Sequence, residues 1–157
     1  MNSNEQLIHH FYSSFQNKDV KAMQDCYTAD ATFSDPVFTN LDGAAVRSMW
    51  AMLIRAGKDM RLEFKNIKAS ESGATAEWEA WYTFSKTGNK VHNQIRASFL
   101  IEDGKIVNHT DQFNFYAWAR QALGLTGLLL GWTTFMKNKI STTAMKNLED
   151  FMVKNVV

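Results

Sequence analysis

The sequence has little cysteine and little proline, with one residue of each among 157. Because Cys26 stands alone, an internal disulfide and a cysteine-rich metal site are excluded, and a reducing cytoplasmic location is expected. The opening residues MNSNEQ do not have the pattern of a secretory signal. We find no repeat, linker or low-complexity segment, so we expect one domain over residues 1–157.

An excess of charge of either sign is also lacking, since 17 basic residues balance 16 acidic ones. No cluster of Lys and Arg forms a phosphate-binding stripe, so nucleic acid is not an expected partner. No phosphate loop or dinucleotide fingerprint is present, and no cofactor is expected. Only the pair His109-x-Asp111 could supply two metal ligands, and we expect no metal site.

Long hydrophobic runs are absent, which argues against a transmembrane helix. The nearest candidate is Leu123–Trp132, LGLTGLLLGW, which is short and contains three glycines. We expect a buried or lid-like segment here. Peripheral membrane contact is a less favoured alternative, and membrane contact is not part of the main prediction.

The first 57 residues have the pattern of three helices. Ser3 with Gln6 fits a capping box for a helix from about Asn4 to Gln16. Asp19 can cap a second helix and Asp42 a third, for which Gly57 is a C-terminal stop. Between them, residues 31–38 are expected to be extended, with Pro36 ending regular pairing.

The middle of the chain has the pattern of four strands joined by the turns SESG, TGN and EDG. The predicted strands are Met60–Ser70, Thr75–Lys86, Lys90–Ile101 and Lys105–Phe115. Short turns between long strands indicate an antiparallel meander. We therefore predict an α+β fold in which N-terminal helices pack on a curved, mainly antiparallel sheet (core about 3–117). An amphipathic helical extension follows over about 118–157.

Polar groups stand among apolar ones on the inner faces of these strands. In the last strand, alternation places His109 and Asp111 on one face with Val107, Phe113 and Phe115. Burying two titratable groups is costly unless they are partnered. The pair is therefore a candidate for acid–base work or for holding a polar ligand atom, and the alternative is that the two groups satisfy each other or nearby backbone.

Several other side chains are candidates for the wall of a pocket. Tyr82 and Asn93 fall on inner faces and could each donate a hydrogen bond to a ligand, or be satisfied within the core. Trp50 and Trp78 have the helix and strand spacing of core or cavity-wall residues. On the opposite face, Trp81 indicates a surface that is covered, most simply by a second subunit.

The order of these elements, with FSDPV after the second helix and HTDQF in the last strand, resembles the nuclear transport factor 2-like superfamily. Within it the chain is most similar to SnoaL-like and ketosteroid isomerase-like proteins. The resemblance implies an α+β cone, an apolar pocket and dimers formed through the open sheet face. Asp35 takes the place of the isomerases' general base in their DPV motif, whereas Phe11 and Ala97 occupy the positions of the oxyanion-hole tyrosine and aspartate.

The expected function is therefore binding of a small hydrophobic molecule, with an enzyme of the cofactor-independent isomerase, cyclase or hydratase/hydrolase type as the main hypothesis. His109 would shuttle a proton, Asp111 would orient it or hold a water, and Asp35 would be a second carboxylate at the pocket mouth. The expected substrate-binding residues are Tyr82, Asn93, Trp50, Trp78 and Phe113. A non-catalytic ligand carrier and a protein-interaction module are the alternatives.

Overall fold

Along the chain, helices and strands are mixed in the first part, four consecutive strands follow, and the last part is helical. The structure, a computed structural model, describes residues 2–155. Its helices are α1 (Ser3–Gln16), α2 (Val20–Gln24), α3 (Gly43–Ala56), α4 (Phe115–Leu123), α5 (Leu125–Leu130) and α6 (Thr134–Lys154). Its strands are β1 (Tyr27–Ser34), β2 (Leu41–Asp42), β3 (Arg61–Ala69), β4 (Gly73–Phe84), β5 (Asn89–Glu102) and β6 (Lys105–Gln112). The predicted α+β class is confirmed, while the one-domain prediction stays a prediction whose residues 1, 156 and 157 lie outside the described part.

The strands form one curved sheet in the order β2-β1-β6-β5-β4-β3. The predicted antiparallel meander β3-β4-β5-β6 is confirmed. The first strand, β1, lies beside the last and pairs with it in parallel, with Phe33 opposite His109. This long-range pairing brings the N-terminal part of the chain to the predicted site.

Strand β6 departs from regular alternation at its start. Leu100 of β5 lies opposite Asn108 while Ile101 lies opposite Ile106, so β6 carries one extra residue there. On the N-terminal side of this bulge, the residues that point inward are shifted by one position. Ile106 is fully buried there, and Val107 is only partly buried. The prediction that regular alternation places Val107 on the same face as His109 is therefore wrong.

The end of β6 also differs from the prediction. The strand stops at Gln112, and the Asn114 side chain accepts a hydrogen bond from the backbone N–H of Ala117 at 3.0 Å. This N-cap starts α4, so Phe115 is the first residue of a helix and not the last of a strand.

The N-terminal helices cover the concave face of the sheet. Phe11 and Tyr12 of α1 and Met49 of α3 are fully buried there. The predicted boundaries of α1 are nearly right, but the cap is Asn2, whose side chain accepts from the Glu5 N–H at 2.7 Å, and not Ser3. Asp19 caps α2 as predicted, whereas Asp42 precedes α3 without a side-chain cap bond.

The C-terminal helices return across the open side of the sheet. The Ser141 hydroxyl of α6 donates to the Val37 carbonyl at 2.5 Å, which ties α6 to the loop after β1. Of the two expectations for Leu123–Trp132, the buried segment is wrong, because most of its large side chains face solvent, while the lid-like segment stays a prediction. Within residues 2–155, no helix is both long enough and apolar enough to span a membrane.

Candidate active site

A cavity of about 530 Å³ lies between the concave face of the sheet and helices α3, α4 and α6. Most of its wall is apolar. Seven of the eight side chains expected at the site line it: Asp35, Asp111, Tyr82, Asn93, Trp50, Trp78 and Phe113. The eighth, His109, is fully buried behind the wall.

The imidazole of His109 lies in a row of buried polar side chains. Its Nε2 is 2.8 Å from Oδ1 of Asp111, and its Nδ1 is 2.8 Å from the hydroxyl of Tyr27. The indole Nε1 of Trp50 in turn donates to the Tyr27 hydroxyl at 2.9 Å. We call these four residues the hydrogen-bonded row.

The donor and acceptor roles along the hydrogen-bonded row follow from its end members, Trp50 and Asp111. An indole N–H only donates, and an ionised carboxylate only accepts. Tyr27 therefore accepts from Trp50 and donates its own hydrogen to Nδ1, while Nε2–H of His109 donates to Asp111. With a hydrogen on Nε2 every member of the row has a partner, and the bond from His109 fixes the orientation of the Asp111 carboxyl group that faces the cavity.

Three separate elements assemble this row. Trp50 comes from α3, Tyr27 from β1, and the other two residues from β6. Aromatic rings enclose the imidazole, with the centroid of Phe99 at 4.2 Å and that of Phe33 at 4.9 Å. Sequence reasoning missed Tyr27 as a site residue. The signal that could have found it is its spacing of four from the buried Ala31, which places both on one face of β1.

Asp35 combines a turn with a place on the cavity wall. Its Oδ1 accepts from the backbone N–H groups of Val37 and Phe38, both at 2.7 Å. Burial raises the pKa of Asp35 to about 7; the two backbone bonds oppose this rise, and the charge of Asp111 adds to it. Asp35 therefore holds a turn together and also presents a carboxyl group to the cavity.

Tyr82 presents a hydroxyl with a free hydrogen. Nε1 of Trp118 donates to the Tyr82 oxygen at 2.8 Å, which leaves the O–H able to donate into the cavity. Burial raises the pKa of Tyr82, the bond from Trp118 opposes the rise, and the charge of Asp35 adds to it. The group is therefore a neutral donor in the wall of a cavity that Asp35 and Asp111 also line.

Two further residues of the cavity wall carry polar groups. One is the indole N–H of Trp78, which is buried without a partner among the described residues. The half-buried side-chain amide of Asn93 lines the same cavity. The described part of the chain contains no group of three or more His, Cys, Asp or Glu side chains that could hold a metal ion.

The outer face of the sheet carries the predicted Trp81. The Arg61 guanidinium lies 4.0 Å from its ring centroid, and the His92 ring stacks on it at 4.5 Å. Side chains of the same chain therefore cover part of this indole. The predicted dimer contact through this face stays a prediction.

Comparison with known proteins gives a family and a fold. A family model described as a SnoaL-like domain matches residues 8–109. No curated protein matches the chain.

Several solved structures share the architecture. An NTF2-like protein of unknown function from Burkholderia pseudomallei K96243 has a TM-score of 0.68 at 16% identity, over 77% of this chain and 98% of that one. IdmH from Streptomyces antibioticus, a proposed polyketide cyclase, has a TM-score of 0.66 at 18% identity, over 79% of this chain and 100% of that one. An LEH-like epoxide hydrolase from M. tuberculosis has a TM-score of 0.61 at 20% identity, over 82% of this chain and 96% of that one. At these identities the likeness shows the fold alone.

Proposed function

The chain belongs to the SnoaL-like domain family, and on that premise we propose that it is a cofactor-independent acid–base enzyme acting on a small hydrophobic carbonyl compound. The observation that carries the proposal is a cavity wall on which Asp35, with its pKa raised to about 7, and the free O–H of Tyr82 face the same apolar space. A general base is most effective when its pKa lies near the working pH.

In the proposed reaction, the Asp35 carboxylate removes a proton from the carbon beside the substrate carbonyl. The electrons of the C–H bond form the enolate, whose oxygen accepts a hydrogen bond from Tyr82. The protonated Asp35 then returns the proton to another carbon, which isomerises the substrate. In the cyclising variant the enolate carbon attacks a second carbonyl, and the proton goes to the new alkoxide. The neutral donor stabilises charge that develops only during reaction.

Asp111 and His109 have supporting roles in this proposal. Asp111 accepts a hydrogen bond from a substrate hydroxyl or a water, and its charge helps to keep the pKa of Asp35 high. His109 is a positioning residue, because its ring is fully buried and both of its nitrogens are engaged. This replaces the direct proton shuttle by His109 that the sequence led us to expect. Trp50, Trp78, Asn93 and Phe113 form the substrate-binding wall.

The test is exchange of α-protons in D2O, followed by ¹H NMR with a panel of bicyclic and tricyclic aryl ketones that begins with 2-tetralone. We expect the exchange rate to rise with pH through a midpoint near 7, as Asp35 ionises. Asp35→Asn should lower the rate by about 10²–10⁴-fold. Tyr82→Phe should lower it by about 10²–10³-fold. Asp30→Asn, an exposed carboxylate on the same part of the chain, is the matched control and should leave the rate unchanged.

A non-catalytic carrier with the same pocket is the second candidate. The observation that favours it is the complete burial of His109 and the satisfaction of both its nitrogens, which is also what a purely structural histidine shows. Calorimetry separates the two functions. The comparison covers every ketone of the panel that binds the wild type. If none of them exchanges its α-protons faster with the wild type than with Asp35→Asn, the result contradicts the enzyme and supports the carrier.

For quaternary structure, we propose a cytoplasmic homodimer that forms through the outer sheet face around Trp81. Sedimentation velocity over a range of concentrations tests it. Trp81→Ala should shift the equilibrium to monomer, while Val153→Ala, an exposed apolar residue near the end of α6, serves as the control.

A further inference from the structure

Helix α5 packs on α4 through its smallest residues. A Cβ atom added at Gly127 would lie 1.9 Å from the carbonyl oxygen of Ala119, and one added at Gly131 would lie 2.8 Å from the Ala119 Cβ. The Tyr116 hydroxyl also donates to the Leu128 carbonyl at 2.9 Å. These contacts fix the orientation of α5, because no larger side chain fits between the two helices.

This orientation turns the large apolar side chains of the segment outward. We call them the apolar knob: Leu125 (70% exposed), Leu128 (50%), Leu129 (60%), Leu130 (44%), Trp132 (74%) and Phe135 (71%). Single exposed leucines are ordinary on protein surfaces, whereas a contiguous group of this size marks an interaction site. The outward position of these residues follows from tight packing on the other side of α5, and not from loose docking.

The charge around the apolar knob has one sign. From Gln112 to Leu148 the sequence contains no Asp or Glu, and its charged residues are Arg120, Lys137, Lys139 and Lys146. Lys137 and Lys139 are exposed in the first turns of α6, and the buried Met136 separates Lys137 from Phe135. A second copy docked on this surface by a two-fold axis would bring like charges together. An anionic surface would instead be complementary to it.

We propose that the apolar knob docks on an anionic lipid bilayer, with the leucines, Trp132 and Phe135 in the headgroup and upper acyl region. Lys137 and Lys139 then contact the lipid phosphates or carboxylates. Exposed leucine and aromatic side chains next to basic ones are the composition of interfacial membrane contacts. Trp is suited to this boundary because its ring is apolar and its N–H is polar.

The site would also bring the cavity close to the bilayer. Trp118 and Leu123 of α4 and Ile140 of α6 line the cavity, and the apolar knob lies between these two helices in the sequence. A hydrophobic ligand could therefore pass between lipid and cavity. The docking itself does not depend on the proposed enzymatic function.

The test is sedimentation of the full chain with sucrose-loaded vesicles. One set contains phosphatidylcholine alone and the other contains phosphatidylcholine with 30% phosphatidylserine. We expect binding to the anionic vesicles that weakens with added salt. The variant Leu128→Gln/Leu129→Gln should lose at least tenfold in partition coefficient. Lys137→Glu/Lys139→Glu should lose roughly 30-fold or more, since each lysine near an anionic surface contributes about a factor of five.

Matched controls use residues of the same kind elsewhere on the surface. Leu100→Gln replaces a leucine that is 55% exposed on the sheet, and Lys65→Glu/Lys68→Glu reverses two exposed charges there. Both should bind as the wild type does, and circular dichroism melts check that every variant folds. Equal sedimentation with both vesicle sets, or knob variants that bind like their controls, overturns the proposal. Absence of vesicle binding together with a dimer that dissociates in Leu128→Gln/Leu129→Gln also overturns it, and assigns the knob to self-association.

Discussion

Replacing Tyr27 by Phe removes one oxygen atom from the centre of the hydrogen-bonded row. The substitution keeps the ring and its edge-on contact with Phe11, whose centroid lies 5.6 Å away. It leaves two buried groups without their partner, namely Nε1 of Trp50 and Nδ1 of His109. Each buried polar group left unsatisfied costs about 1–3 kcal/mol, so the expected loss in free energy of unfolding for the two groups is about 2–6 kcal/mol.

The chain offers a matched control in Tyr12. Its ring is also buried and packs edge-on against Phe11 at 5.1 Å, but its hydroxyl has no hydrogen-bond partner among the described residues. Tyr12→Phe therefore removes a polar atom that gains nothing from being buried. We expect no loss of stability, and a gain of up to about 1 kcal/mol.

The assay is urea unfolding followed by Trp fluorescence and far-UV circular dichroism, with equal m-values taken as the condition for comparing the two variants. ¹⁵N NMR of the imidazole nitrogens adds a local readout, since loss of the Tyr27 hydroxyl should shift the Nδ1 resonance of His109 and leave that of exposed His10 in place. Two variants whose unfolding free energies agree within about 0.5 kcal/mol would refute the argument that Tyr27 satisfies the row.

Two further predictions concern stability. Because burial raises the pKa of Asp35 from 3.8 to about 7, the folded state holds its proton more tightly, and wild-type stability should fall as the pH rises from about 4 to 7 and then level off. Asp35→Asn keeps an oxygen acceptor and removes the charge, so its stability relative to wild type should improve over that range. The full shift corresponds to about 4 kcal/mol, and partial solvent screening reduces the expected change to about 1–3 kcal/mol. Thermal melts at pH 4.5 and 8 measure it, and a pH-independent difference would contradict the assignment. Gly127→Ala should destabilise α5 by about 1–3 kcal/mol or more, because its Cβ would lie 1.9 Å from the Ala119 carbonyl oxygen. Hydrogen exchange of the α5 amides reports this loss, Thr126→Ala on the exposed side is the control, and equal protection in the two variants would rule the packing argument out.

The sequence predicted the parts of the fold that depend on local patterns. Alternation in β4 and β5 placed Trp78, Tyr82 and Asn93 on the inner face, where the structure has them. Turn residues and apolar spacing also located the four meander strands to within a few residues. These features depend on neighbours in the chain, which a single sequence contains.

The remaining features depend on contacts between distant segments. The hydroxyl of Tyr27 reaches His109 across 82 residues through a parallel pairing that no local pattern indicates. The bulge that moves Val107 out of alignment is visible only in the register of β5 and β6. The exposure of the apolar knob was unexpected because an apolar run is normally buried, and only the close contact of Gly127 with α4 shows why its leucines face outward.

The pairing of β1 with β6 also constrains how the chain is made. At about 5–20 residues per second on the ribosome, His109 follows Tyr27 by roughly 4–16 s, given the 82 positions between them. During that interval α1 can already pack on β3 and β4, but β1 has no parallel neighbour and the Tyr27 hydroxyl has no imidazole to bond. The final strand therefore joins β1 to the rest of the sheet only after the other five strands exist, and α4 and α6 close the cavity last.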